Sequence, residues 1–142
     1  MVNAEEIFEI SMALIDSMDA EGRADILDNM EYRGRCLPIL NALVAELYPY
    51  SQNFISSAQS RPAAPELMSF SDAAALDDSI SRGVLPYGLA AALLISEDPD
   101  SAAVLQGRYE SLKAGLRRGV RAASEDISDV YGGMGGFDFG HW

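Results

Sequence analysis

Two apolar helical patterns stand back to back between Ser79 and Arg118, and they constrain the fold more than any other feature of the chain. In the first, which covers residues 79–97, apolar side chains recur every three to four positions, the period of a helix with one buried face; they are Ile80, Val84, Leu85, Leu89, Leu93 and Leu94. Pro86 predicts a kink, or a helix that starts afresh near Leu85. Gly88 predicts a close approach by a neighbouring element.

The second pattern follows after a short acidic turn. Asp98 is placed to cap the helix, and Pro99 stands at the first helical position, where a missing N–H has no cost. Apolar residues again recur at spacings of three and four, namely Ala102, Leu105, Tyr109, Leu112 and Leu116. Helices joined so tightly lie nearly antiparallel. We therefore expect a helical hairpin that ends at residue 118, with Tyr109 packed inside it against Leu89 or Leu93.

Two further helices are predicted before this hairpin. Asn3 is an N-cap candidate for a helix over residues 3–18, with carboxylates in its first turn. Gly34 and Pro38 predict that the second helical region is broken in two, its better piece covering residues 36–47. Asn41 flanks the apolar face of that piece, so its amide either bonds to backbone at the kink or faces solvent.

These patterns predict an all-α fold, a bundle of four to five helices formed by residues 1–118. Residues 49–78 are predicted to be a long irregular loop, because the chain there is rich in Ser, Gln and Pro and has little apolar pattern. Alternation over residues 67–71 is consistent with a short strand or an extended arm. Residues 119–142 contain too much glycine to build a core and are predicted to be a flexible Gly/aromatic tail.

Charge excludes several classes of partner. The chain has 22 acidic and 10 basic side chains and a formal net charge of -12, which argues against nucleic acid bound by charge neutralisation and against an anionic membrane surface. Acid dominates the first 32 residues, and base dominates residues 108–121. This polarity makes one set of charges candidates for contacts between copies of the chain: Glu5, Glu6, Glu9, Arg117 and Arg118. The alternative is that they are ordinary solvated helix faces.

No pattern in the sequence supports catalysis, a cofactor or a metal. His141 is the single histidine and Cys36 the single cysteine, so neither a nucleophile–histidine pair nor a multi-imidazole metal site is indicated. Residues 98–109 open like a calcium loop, but Ala103 replaces its required glycine and Tyr109 its final Glu. We expect a protein that is not an enzyme.

The location of the protein is also constrained. The N-terminus lacks the basic flank and apolar run of a signal peptide. The longest apolar run, residues 88–95, is far shorter than the roughly 20 residues that span a bilayer. The expectation is a soluble, cytoplasmic protein with no membrane partner.

The C-terminal segment carries an unusual density of aromatic side chains among its glycines: Tyr131, Phe137, Phe139 and Trp142. Aromatic anchors of this kind are typical of a segment that docks on a partner or on another subunit. The alternative is a frayed end.

Three phrases of the sequence, in this order, resemble a known family. They are NALVAELYPYS (41–51), then GVLPYGLAAALL (83–94) with EDP (97–99) and RYE (108–110), and finally DISDVYG (126–132). Together they are similar to the head-to-tail connector, or head-completion adaptor, proteins of tailed phages and prophages. The likeness covers most of residues 24–132.

That resemblance implies a structural subunit of a homo-oligomeric ring that docks on the phage portal protein, extends the DNA channel and joins head to tail. It implies a tail or stopper protein as a further partner, and DNA that passes through without specific binding. It places the protein in the host cytoplasm during virion assembly and then in the virion neck. The alternative, from a different class, is an acidic interaction module or DNA mimic that blocks a basic nucleic-acid-binding partner.

Overall fold

The computed structural model describes residues 1–18, 26–52, 54 and 62–132, and side chains within residues 1–17, 30–52, 54 and 62–119. Five α-helices follow one another along these parts of the chain, with a short 3-10 helix, Tyr48–Tyr50, after the second. They are α1 (Ala4–Met18), α2 (Ile26–Leu47), α3 (Asp78–Gly83), α4 (Leu85–Leu94) and α5 (Pro99–Gly132). The predicted all-α bundle is therefore confirmed. No helix in the described ranges is long and apolar enough to cross a membrane.

Helix α4 is the centre of the bundle. It packs against α1, α2, α3 and α5, and eight of its residues are buried, including Leu85, Leu89 and Leu93. A helix with neighbours on several sides needs apolar residues all around, which explains why this segment is so uniformly apolar. The other helices each contribute one apolar stripe to the same core.

The predicted restart at Pro86 is confirmed. Helix α3 ends at Gly83, Val84 lies between the two helices, and α4 begins at Leu85 with the proline in its first turn. Because the first backbone N–H groups of a helix have no intrahelical acceptor, a proline there loses nothing. The segment is thus two short helices rather than one kinked helix.

The cap at the start of α5 is also confirmed. The carboxylate of Asp98 accepts hydrogen bonds from the backbone N–H of Ser101 at 3.2 Å and from its hydroxyl at 2.7 Å. These bonds lower the pKa of Asp98, the hydroxyl contributing most. Helix α5 then runs back along α4, so the hairpin forms as predicted.

Helix α2 is continuous, so the prediction that Gly34 and Pro38 break it in two is wrong. Pro38 removes one backbone hydrogen bond. The helix compensates for that loss by burying an apolar stripe that continues through the turn of the proline. The stripe consists of Cys36, Leu40, Val44 and Leu47. Tertiary packing of an apolar face commonly outweighs such local preferences.

The segment between the 3-10 helix and α3 has no helix in its described parts, residues 51–52, 54 and 62–77. A strand over residues 67–71 is not formed. Instead these residues make bends and turns, and the backbone pairs with the start of α1, with Asn3 and Ala73 forming a single antiparallel bridge. We call residues 62–77 the arm.

Helix α5 is longer than predicted. The expected end at Arg118 is wrong, because the backbone stays helical to Gly132. Gly119 costs a helix only about 1 kcal/mol, and the residues after it include helix formers and no proline, so nothing there ends the helix. Residues 119–132, assigned to the tail from sequence, therefore have helical backbone, while residues 133–142 lie outside the described part of the chain.

Candidate subunit interface

The first turn of α1 carries two of the predicted interface carboxylates. Asn3 caps this helix, since its Oδ1 accepts a hydrogen bond of 2.9 Å from the backbone N–H of Glu6, as predicted. Successive helical residues point about 100° apart, so Glu5 and Glu6 face different neighbours. The side chain of Glu5 meets α2, and that of Glu6 meets α3.

Both carboxylates form ion pairs within the chain. Arg33 donates two parallel hydrogen bonds to Glu5, at 2.5 and 2.9 Å, in the bidentate geometry that suits a guanidinium. Arg82 donates one hydrogen bond of 2.7 Å from Nε to Glu6. The bond to Arg33 lowers the pKa of Glu5. Glu5 and Glu6 thus connect α1 to α2 and α3, which makes them positioning residues of the bundle.

Arg33 is a residue that sequence reasoning did not single out. Its guanidinium lies 4.1 Å from the ring centroid of Phe70 and 5.4 Å from that of Phe8, and these two rings meet edge to face. Cation–π contact and the ion pair with Glu5 together hold α1, α2 and the arm at one point. No local signal marks such a residue, because its partners come from two distant segments.

A groove opens beside this point along the surface of α1. Its volume is about 410 Å³, and it is lined by Glu5, Phe8, Glu9, Met12, Ala13, Asp16 and Arg33. Phe8 is buried and Met12 half-buried, which gives an apolar floor, while Glu9 and Asp16 are exposed at the rim. Among the described residues neither Glu9 nor Asp16 forms an ion pair. We call this the acidic groove.

The basic candidates lie elsewhere, on α5 near the 3-10 helix. Arg117 and Arg118 are exposed, and Nε of Arg117 donates a hydrogen bond of 3.3 Å to the hydroxyl of Tyr50. Lys113, one turn earlier, is largely buried and lies 3.5 Å from Glu46 and 3.3 Å from Glu110. Within one chain, therefore, the structure does not bring the predicted acidic and basic interface residues together.

A polar contact fixes α5 on α2. Tyr109 is buried, and its hydroxyl donates a hydrogen bond to Glu46. Burial, with a further contribution from that carboxylate, raises the pKa of Tyr109. The ring of Tyr109 lies against Gly88 of α4, which confirms both the inward position of this tyrosine and the close approach predicted at the glycine.

Neither a metal-binding cluster nor an exposed cysteine occurs among the described residues. They contain no group of three or more His, Cys, Asp or Glu side chains placed to hold a metal ion. Cys36 is fully buried, and burial raises the pKa of its thiol to about 12. A thiol with that pKa stays protonated at neutral pH and is a poor nucleophile.

The candidate docking residues at the C-terminus have no described side chains. Tyr131 lies in the helical backbone of α5, but its side chain is outside the described set. Phe137, Phe139 and Trp142 lie outside the described residues altogether. Their role as a docking segment stays a prediction.

Comparison with known proteins adds no relative. No family model, no curated protein and no solved structure matches this chain. The arguments about function therefore start from the geometry above and from the resemblance seen in the sequence.

Proposed function

We propose that this chain is a structural, non-enzymatic subunit of a phage or prophage head-to-tail connector, which assembles with copies of itself into a ring. The observation that carries the proposal is the length of α5 relative to the core it packs on. Helix α5 has 34 residues, whereas α4, its main neighbour, has 10. At 1.5 Å per residue these are about 51 Å and 15 Å.

In the described part of the chain, no helix packs along the whole length of α5; its main partners are α4 and the 3-10 helix. Among its described side chains, Tyr109 is the last that is fully buried, and Leu116 is the last that packs on the core. The helix then continues for 16 more residues, about 24 Å. A helix whose backbone runs on beyond its described core contacts is suited to reaching another subunit, as a ring-forming protein requires.

The base of that helix is firmly fixed, which also suits a structural subunit. Its start is capped by Asp98, its middle is locked by Tyr109 and Glu46, and Arg117 is hydrogen-bonded to Tyr50. The arm is fixed as well, through Asn41 on α2. A rigid body with one extended element can transmit a defined geometry around a ring.

The ring proposal includes the partners that the resemblance implies. The ring docks on the portal protein, receives a tail or stopper protein on its far side and passes DNA without binding it. The acidic balance of the chain supports the last point, because like charge keeps duplex DNA solvated and mobile in a channel.

The alternative, an acidic module that mimics DNA, receives less support. A mimic needs free carboxylates on one contiguous surface. Here Glu5 and Glu6 are neutralised by arginines from two different helices, and Asp72 and Asp98 accept backbone hydrogen bonds in turns and caps. Many of the carboxylates therefore have structural partners.

Negative-stain electron microscopy of the purified full-length protein tests the proposal. The expected particles at high protein concentration are closed rings of uniform diameter with an open centre. An electrophoretic mobility assay on the same sample should show no retardation of duplex DNA. Particles that are only monomeric at every concentration and salt, or a protein that displaces DNA from basic proteins, would favour the mimic instead.

A further inference from the structure

The acidic groove has the chemistry of a docking site for a basic, partly apolar helix. Its rim carries the carboxylates of Glu9 and Asp16, both exposed, and its floor is formed by Phe8 and Met12. Among the described residues of the lining, Arg33 is the one cation, and it is engaged by Glu5 and by two aromatic rings. Within the described part of the chain, the rim of the groove thus carries two carboxylates that form no ion pair, above an apolar surface.

One turn of α5 has the complementary charge. Arg117 and Arg118 follow one another on this helix, and both side chains are exposed. Two exposed guanidinium groups match two exposed carboxylates on the rim of the acidic groove.

The two surfaces of one chain are too far apart to meet. Arg117 contacts Tyr50, just past the C-terminal end of α2, whereas the acidic groove lies beside Arg33 on the same helix. The 14 helical steps from Arg33 to Leu47 span about 21 Å. Helix α5 runs on from Arg117 as a continuous helix to Gly132 and does not turn back.

We infer that the acidic groove on α1 binds the Arg117–Arg118 turn of α5 from a second copy of the chain, with these two arginines facing Glu9 and Asp16. Such a contact joins two different surfaces, so each copy can give and receive one helix. Repeated contacts of this type close into a ring when the rotation between copies allows it and otherwise form an open filament. The inference rests on the proposed ring function and names its interface.

Charge reversal tests the interface in the full-length protein. One variant carries Glu9→Lys and Asp16→Lys, and a second carries Arg117→Glu and Arg118→Glu. A matched control, Glu31→Lys with Glu66→Lys, makes the same charge change as the first variant at exposed positions outside the groove. Thermal melts followed by circular dichroism serve to check that each variant is folded.

Sedimentation velocity at low and high salt gives the readout. Each of the two interface variants alone should associate at least about tenfold more weakly than the control. An equimolar mixture of the two should recover association, because each reversed groove then meets a reversed helix. Recovery by mixing is a result that general charge effects or misfolding do not produce.

The possible outcomes separate the interface from the function. Rings that form equally well with the groove variant and with the control overturn the interface and leave the ring function standing. Open chains or dimers that depend on the groove, with no closed ring, support the interface and contradict the ring. A wild-type chain that remains monomeric at low salt overturns both.

Discussion

The aromatic ring of Tyr109 lies directly on the backbone of Gly88, and this contact sets the spacing between α4 and α5. A β-carbon placed at Gly88 would lie 2.9 Å from both Cδ1 and Cε1 of the tyrosine and 3.2 Å from Cδ2 of Leu43. No other residue has a side chain small enough for this position. The hairpin predicted from the apolar pattern therefore depends on one glycine at its centre.

Gly88→Ala should destabilise the protein. The added methyl must push the buried tyrosine ring or α4 itself, and overpacking of this kind costs about 1–3 kcal/mol. Alanine also gains about 1 kcal/mol of helix propensity, so the expected net loss is about 0–2 kcal/mol in the free energy of urea unfolding.

Gly107→Ala is the matched control for that substitution. Gly107 is exposed, lies inside α5, and has nothing within 4 Å of its β-carbon position. At this position alanine brings its higher helix propensity and no steric conflict, so this variant should be more stable than wild type. A Gly88→Ala variant stabilised as much as Gly107→Ala would show that the close contact is absent in solution.

Truncation of Tyr109 should be among the most damaging single changes. The ring is fully buried between α4 and α2, so Tyr109→Ala should cost about 3–5 kcal/mol of unfolding free energy. Tyr109→Phe keeps the ring and removes only the hydrogen bond to Glu46, whose side chain is half-exposed, so it should cost about 1 kcal/mol. An unchanged melting curve for Tyr109→Ala would mean that the residue faces solvent.

Tyr109 also predicts a loss of stability at alkaline pH. Its pKa is raised on folding, first by burial and then by Glu46. The folded state thus holds a proton that the unfolded state releases above about pH 10, and stability falls by up to about 1.4 kcal/mol per pH unit beyond that point. Below that pH the contribution is fully present.

Comparison of wild type with Tyr109→Phe isolates this effect, because the phenylalanine has no proton to lose. Urea unfolding of both proteins at pH 8, 9, 10 and 11 should show curves that converge as pH rises. Parallel pH profiles would contradict the raised pKa.

Asn41 should control attachment of the arm. Its amide nitrogen donates a hydrogen bond of 3.0 Å to the carbonyl of Leu67, and its Oδ1 accepts one of 2.7 Å from the N–H of the same residue. Leu67 is buried, so Asn41→Ala leaves two backbone groups without partners and should cost about 2–4 kcal/mol. Amide hydrogen exchange around residues 67–74 should accelerate.

Asn41→Asp provides the graded control. The aspartate keeps an acceptor for the N–H of Leu67 but cannot donate to its carbonyl, so its effect should be smaller than that of alanine if the N–H contact dominates. Equal exchange rates in wild type and Asn41→Ala would show that the arm is held by other contacts.

The features that sequence predicted correctly depend on local chemistry. Asp98 and Asn3 cap helices through bonds to residues three positions away. Pro86 favours the start of α4 because its ring leaves no backbone N–H, which the first turn of a helix does not need. The inward position of Tyr109 follows from the helical period alone. Each of these needs no knowledge of distant residues.

The features that sequence missed depend on contacts between distant segments. Two alternatives were expected for Asn41, a bond to backbone at the kink or a side chain that faces solvent; the structure shows neither, because the amide bonds to the backbone of Leu67 in the arm, 26 positions away. The role of Arg33 depends on its contacts with Glu5, Phe8 and Phe70, which lie in other segments of the chain. Helix α2 stays continuous at Pro38 because its apolar stripe packs in the core. None of these partners can be predicted from neighbouring residues in the sequence.

The candidate interface shows the same division. Charge polarity in the sequence pointed to Glu5, Glu6, Glu9, Arg117 and Arg118. Only the structure distinguishes Glu5 and Glu6, which form ion pairs within the chain, from Glu9, which forms no ion pair with a described residue. It also adds Asp16 and the apolar floor formed by Phe8 and Met12. A groove is a property of packed helices, so it has no signature in one segment.

Native mass spectrometry of the full-length protein over a range of concentrations and salt tests the central claim most directly. We predict a single closed oligomer of fixed stoichiometry that dissociates as salt weakens the charged contacts. The account predicts that the wild-type protein forms this ring and that the double variant Arg117→Glu with Arg118→Glu does not. A protein that is strictly monomeric under every condition would contradict it.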